Sequence, residues 1–428
     1  MKKLLAIFLA VALSFSVTAC SSTKEVATGE KEKIELNYWF AYGGPTEEAN
    51  KGLVEKFNNS QDAIHVTATN QGSYSDVNSK VQASIAAGNS PDIFVGQNIM
   101  METFAKEGMI ESLTPFVKAD SEEVKIEDFI PGLLGNSYVD DQMYGLPYLV
   151  STPLLYVNKT MLDKAGIDVS QLETWEGFSQ AARKLSKDGV KAVSMESDIW
   201  IYEAFIAQAG GSMVNKDGTQ YTFNEKPGVE ALDFMRDLVI DGAWKVPVGD
   251  NASDVAFQDF ASQKSVFRFA STANLTQMIQ AAEENGFELT ALMLPKNVKQ
   301  AVNTGGSNIV MMAGLDEEKK QAAWEFIKFM TGTEQNLYAS KVTGYLPTRY
   351  SSIESDERQK LHAEQPMYKV AVDQLKYAEP RPMIPGYNEI EKKVYPQEVE
   401  RLIIDHSIDT KQGLDRAVDR SNALLKNK

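Results

Sequence analysis

Cysteine is nearly absent: Cys20 is the only one in 428 residues. A single thiol closes no disulfide within the chain and builds no thiolate metal centre. Histidine is almost as scarce, at His65, His362 and His406. These three lie far apart in sequence and none stands beside a nucleophile motif of the Gly-x-Ser-x-Gly kind, so neither a metal nor a cofactor is expected. Positive charge is in deficit, with 43 Lys and Arg against 59 Asp and Glu and a net charge of −16. That excludes nucleic acid, which needs a basic footprint, and broad adhesion to anionic lipid. The acidic residues are scattered, as on a solvated surface. No Gly-x-x-x-x-Gly-Lys-Ser/Thr segment occurs, so no phosphate-cradling loop is present to drive nucleotide hydrolysis. Beyond residues 4–17 there is no long apolar run, and no internal repeat.

What is present starts with Lys2 and Lys3, then the apolar residues 4–17, then small residues up to Ala19. This is the build of a secretory signal peptide, too short for the roughly 20 apolar residues of a membrane span. Cys20 directly after Val17-Thr18-Ala19 resembles the lipobox of bacterial lipoproteins. The resemblance implies cleavage before Cys20, a diacylglyceryl group on its sulfur, and an extracytoplasmic protein anchored to the cell membrane. One acyl chain holds only reversibly, whereas two give stable anchoring. Residues 1–19 are therefore expected to be a signal peptide. Residues 20–32, small, polar and without aromatics, are expected to be the lipidated cysteine and a flexible tether.

The remaining residues, 33–428, exceed what one core holds, roughly 250–300 residues, and two lobes are expected. Ile34 to Phe40 reads as a strand, followed by a helix with Thr46 as its N-cap. Ile64 to Ala68 reads as a second strand, Ser75 to Ala87 as a helix, and Ile93 to Val95 as a third strand. The alternation signals a parallel sheet with helical crossovers. It resumes with a strand at 154–157, helices at 175–186, 229–239 and 322–330, and a final helix after Thr410.

Several segments in order resemble one family. They are Ala87-Gly88-Asn89-Ser90-Pro91-Asp92-Ile93, Tyr144-Gly145-Leu146-Pro147-Tyr148 with Leu155-Tyr156-Val157-Asn158-Lys159, and Thr174-Trp175-Glu176-Gly177-Phe178. Asn303-Thr304-Gly305-Gly306-Ser307, Ala323-Trp324-Glu325-Phe326-Ile327, and Thr343-Gly344-Tyr345-Leu346-Pro347 follow. Together they resemble the extracellular solute-binding proteins of ABC importers, in the branch that binds sugars and glycerol-phosphate compounds. The resemblance implies an α/β, two-lobed periplasmic-binding-protein fold of type II with the ligand cleft between the lobes. The chain should cross near 147–156, 304–309 and 345–350. The N-terminal lobe should comprise 33–148 plus about 310–345, and the C-terminal lobe 149–309 plus about 346–428.

A sugar has apolar faces that pack on aromatic rings and hydroxyls that need donors and acceptors. By resemblance, Trp200 is the first candidate contact and Tyr345 the second. Tyr74, Asn98, Ser151, Ser271, Gly305 and Gly306 match cleft positions, with Tyr42, Trp39 and Tyr387 added. Trp175, Trp324 and Trp244 read as packing residues. Glycerol-phosphate binders of this branch carry an arginine in the late loop, where this chain has Pro385-Gly386-Tyr387-Asn388, and Arg381 has no assigned place. A mono- or oligosaccharide is therefore expected, with glycerol 3-phosphate or a glycerophosphodiester as the alternative. The partners implied are membrane permease subunits with a separate ATPase, and the protein itself is expected to be a monomer. A glycoside-active enzyme would need two positioned carboxylates. The adjacent Asp140-Asp141 reads instead as a hairpin turn, and no enzymatic activity is expected. Asn215 to Thr219 faintly resembles the start of a calcium loop but lacks the glycine that such a loop carries at its sixth position, and Asp217-Gly218 reads as a tight turn.

Overall fold

Strand β1 (Ile34–Phe40) buries Leu36, Tyr38 and Phe40 while Glu35 and Asn37 stay exposed, the period of two expected of a strand with one face on a core. The computed structural model describes residues 33–384 and 386–426. The expected signal peptide, the tether, Cys20 and Pro385 lie outside the described residues. Nine further strands complete two sheets: β2 (Ile64–Asn70), β3 (Ile93–Gln97), β4 (Leu146–Ser151), β5 (Pro153–Asn158), β6 (Lys191–Ser194), β7 (Trp244–Lys245), β8 (Ser265–Ser271), β9 (Leu289–Leu292) and β10 (Gly305–Met311).

The first sheet runs β2-β1-β3-β10-β4 and the second β9-β5-β8-β6-β7. The two share one plan. β1 is parallel to β2 and β3, and β6 is parallel to β7 and β8. An antiparallel strand then follows, β10 in the first sheet and β5 in the second. Each is the strand by which the chain arrives from the other sheet. Only Thr152 separates β4 of the first sheet from β5 of the second. This is the two-lobed α/β fold that the resemblance implied.

Local chemistry sets the element ends. The helix Tyr74–Ala87 begins in a capping box between Ser73 and Asp76 and stops at Gly88, whose φ is 70°. Thr174 caps Trp175–Leu185, its hydroxyl accepting from the Gly177 amide at 3.1 Å. Thr46 does not cap the first helix, which spans Pro45–Ser60 with Gly44 at the cap position. Pro45 takes the first helical position, where its fixed φ and missing N–H cost nothing, and Thr46 is buried inside the first turn. Asp140 and Asp141, at φ 47° and 62°, join the short strands Tyr138–Val139 and Gln142–Met143. Positive φ at both central residues is what a two-residue hairpin turn of type I′ requires.

The expected packing tryptophans are buried. Trp175 stacks on Phe234 at 4.5 Å and Trp244 on Phe269 at 5.5 Å, and Trp324 donates to Asp120 at 2.8 Å. After Tyr345 the chain remains tied to the region around the first sheet. Arg349 donates to the carbonyls of Thr331 and Val124, and the Ser351 amide donates to Asp128.

Candidate ligand-binding cleft

Strands of both sheets end on one cavity of about 640 Å³. Tyr42 follows β1, Tyr74 follows β2, Gln97 ends β3 and Ser151 ends β4. From the second sheet, residues 195–201 follow β6 and Ser271 ends β8. Ligand sites in open α/β sheets lie at such carboxyl ends.

Of the residues named from the sequence, Tyr42, Tyr74, Ser151, Trp200, Ser271, Gly305, Gly306 and Tyr345 line this cavity together. Tyr42 and Tyr74 meet edge to face at 5.0 Å. The Tyr74 hydroxyl donates to Ser307 at 3.2 Å and lies 3.4 Å from that of Tyr345. Trp200 sits in the first turn of the helix Ile199–Gln208, which Asp198 caps by accepting from the Trp200 amide at 2.7 Å. Its indole lies against Gly305, where a Cβ would come within 2.6 Å of Cζ2. Gly306, at φ 94°, would place a Cβ 2.1 Å from the Leu149 carbonyl. The register of β10 on β4 shifts at this point, the kind of bulge that re-aims backbone beside a site.

Three candidates lie elsewhere. Trp39 is on the opposite side of β1 from Tyr38 and Phe40, half-buried against the core. The chain bends after Phe40, where Tyr42 has φ 66°, and so delivers Tyr42 to the cavity. Asn98 is buried behind the wall, its amide 3.5 Å from the Thr304 carbonyl, and Gln97 lines the cavity in its place. Tyr387 is buried with its hydroxyl on Glu203 and Arg381.

The cavity also has charged walls that sequence reasoning missed: Glu196, Asp198, Asp254, Arg268, Arg381 and Glu391. Glu196 and Asp198 stand in the stretch that singled out Trp200, and their acidity was the available signal. Arg381 finds its place through a partner 178 residues away. Its Nε donates to Glu203 Oε2 at 2.7 Å and its Nη2 to Oε1 at 3.0 Å, with both side chains buried. Asn303 donates to the same Glu203 at 2.8 Å, and Asn136 donates to the Arg381 carbonyl at 2.8 Å. This network fastens the strand-to-strand crossings to the helix that carries Trp200.

Burial, with the Glu196 charge, raises the Asp198 carboxyl to about 6, and burial raises that of Glu391 to about 7. Burial also lowers the Arg268 guanidinium from its ordinary value.

A family model described as bacterial extracellular solute-binding protein matches residues 52–365. The chain belongs to this family. It is 25% identical to the sn-glycerol-3-phosphate-binding periplasmic protein UgpB of Rhizobium meliloti, over 99% of this chain and 98% of that one. A solved structure of UgpB from Mycobacterium tuberculosis in complex with glycerophosphocholine superposes with a TM-score of 0.81 at 24% identity, covering 93% of this chain and 99% of that chain. The cyclic alpha-maltosyl-1,6-maltose binding protein of Arthrobacter globiformis gives a TM-score of 0.76 at 23% identity, covering 93% and 100%. The protein is thus a solute-binding protein of an ABC importer. Among the described residues no helix is long and apolar enough to cross a membrane.

Proposed function

We propose that this solute-binding protein captures a polyhydroxylated, uncharged solute, a mono- or oligosaccharide, and hands it to membrane permease subunits driven by a separate ATPase. The observation that carries this reading is the pairing of aromatic rings with carboxylates around one cavity. Trp200, Tyr42, Tyr74 and Tyr345 offer faces for C–H surfaces, and Glu196, Asp198, Asp254 and Glu391 offer acceptors for hydroxyls. Arg381 adds no free charge, because Glu203 engages it through two hydrogen bonds. The remaining acidic excess disfavours a phosphate.

Glycerol 3-phosphate or a glycerophosphodiester is the second reading. It is favoured by Arg268, which lines the cavity with unpartnered nitrogens, and by what the UgpB relatives are named for binding.

A thermal-shift screen of the purified protein separates the two. Glucose, maltose and maltotriose form one arm, glycerol 3-phosphate and glycerophosphocholine the other. A ligand at a hundredfold excess over Kd stabilises by about 2.7 kcal/mol. A shift with sugars alone supports the first reading, a shift with glycerol phosphates alone overturns it, and recovery of the ligand unchanged excludes turnover. The same reading includes cleavage before Cys20, a diacylglyceryl anchor and a monomeric state. We further propose lobes of 33–151 with 305–355 and of 153–304 with 356–426. Sheet membership and the bonds of Arg349 and Ser351 support this division.

A further inference from the structure

Five arginines are buried among the described residues, and four are engaged. Arg236 donates to Thr410 and the Ile408 carbonyl, Arg349 to Thr331, Val124 and Asp128, Arg358 to His362 and Ser340, and Arg381 to Glu203. Arg268 differs. It is 4% exposed, yet Nε and Nη1 have no partner. Only Nη2 is used, donating to the Ser253 carbonyl at 3.3 Å and the Ser253 hydroxyl at 3.2 Å. Nearby carboxylates offset part of its charge, but the two buried N–H donors lose water without gaining a hydrogen bond. Arg268 lines the cleft cavity, and so does Glu196, whose Oε1 is 3.8 Å from Arg268 Nη2 and whose Oε2 is likewise buried without a partner. Unpaired donors and an unpaired acceptor therefore share one wall.

We infer that Arg268 and Glu196 form a subsite for a vicinal diol of the ligand. A hydroxyl is the group that satisfies both at once, accepting from a guanidinium nitrogen while donating to a carboxylate oxygen. The neighbouring hydroxyl donates to the second oxygen of the same carboxylate, whose two oxygens are spaced to receive adjacent hydroxyls. A fully ionised anion has no proton to give Glu196, and it meets the Asp198 and Asp254 carboxylates that also face Arg268. The inference rests on the cleft being the solute site. It holds for either ligand source, because a pyranose ring and the glycerol end of a glycerol phosphate both carry adjacent hydroxyls.

The test is isothermal titration of the purified protein with maltose, maltotriose, glycerol 3-phosphate and glycerophosphocholine. Arg268→Gln and Glu196→Gln are run beside the unsubstituted protein. Hydrogen bonds to charged groups are worth about 1.5–3 kcal/mol, so each variant should bind the effective probe about 10- to 100-fold more weakly. Independently of any substitution, the unsubstituted protein should lose comparable affinity for an analogue lacking one of the two hydroxyls. Monodeoxy maltoses serve in the sugar arm and 1,3-propanediol phosphate in the glycerol arm. Arg268→Gln should no longer discriminate against that analogue. Retention of affinity within about twofold by both variants, or indifference of the unsubstituted protein to every deoxy analogue, overturns the diol subsite and leaves the solute-binding reading intact. If no probe binds the unsubstituted protein, the reading itself fails, and the diol subsite with it.

Discussion

Trp200 and Gly305 form one unit. The indole rests where any side chain on residue 305 would stand, 2.6 Å from its Cζ2. Gly305→Ala should therefore displace the ring and mimic Trp200→Ala, each lowering affinity for the effective sugar by at least about tenfold. The unliganded protein should keep its circular dichroism spectrum, since Trp200 is only half-buried. A second residue-scale expectation concerns Glu203. Its carboxylate holds Arg381 through two hydrogen bonds and accepts from Asn303, all in a buried setting. Removing one member of such a pair leaves the other charge buried and uncompensated, at a cost of about 3–5 kcal/mol. Glu203→Gln should show that loss in urea denaturation.

Elements place the site more firmly than loops do, and they account for what was legible in the sequence. Tyr74 opens the helix Tyr74–Ala87, whose start is fixed by the Ser73–Asp76 capping box. Ser73→Ala should cost about 1 kcal/mol and also weaken ligand binding, because the frayed first turn carries a cavity wall. A matched cap removal at Asp316, which accepts from the Lys319 amide at 2.8 Å outside the cavity, should cost similar stability and leave affinity unchanged. Strand alternation, caps and glycine stops showed the first three strands and their crossovers from local residues alone. Eight candidate contacts, named through the family resemblance, line the cavity: Tyr42 and Tyr74 follow the first two strands, while Ser151, Trp200 and Ser271 end or follow later ones. What was not legible depended on distant partners. Arg381 needed Glu203, and Arg268 needed Glu196 across the cavity wall. Trp39 does not line the cavity: a strand's period of two assigns alternate residues to opposite faces, and the sequence did not show that the cavity lies beyond Phe40.

At the scale of the whole molecule, the charge in the cavity is one-sided: Glu196, Asp198, Asp254 and Glu391 stand on the second-sheet side or in the late helical segment, while the first-sheet side lines it with uncharged residues such as Tyr42, Tyr74 and Gln97. Asp198 comes from the second sheet's side, and Glu391 from the late helical segment Ile390–Glu400, which also reaches Ser79 through Lys392 at 3.2 Å. Both carboxyls are raised, to about 6 and about 7, chiefly by burial. An ordinary unfolded carboxyl titrates near 4. Between about pH 4 and 7 the native protein therefore binds more protons than the unfolded chain, and these two groups make stability fall as pH rises through that window. Other carboxylates act the opposite way, since Asp76, Asp120 and Asp259 are held low by hydrogen-bonded partners. The contribution of the cavity pair must accordingly be read as a difference. Asp198→Asn with Glu391→Gln should raise the melting temperature relative to the unsubstituted protein at pH 8, where both carboxylates are ionised. The gap should narrow steadily toward pH 5, where the natural side chains are largely protonated. A gap independent of pH would assign the effect to packing. A variant less stable at pH 8 would mean that the two charges are compensated across the cleft, which would shift the ligand reading toward a cation-bearing solute.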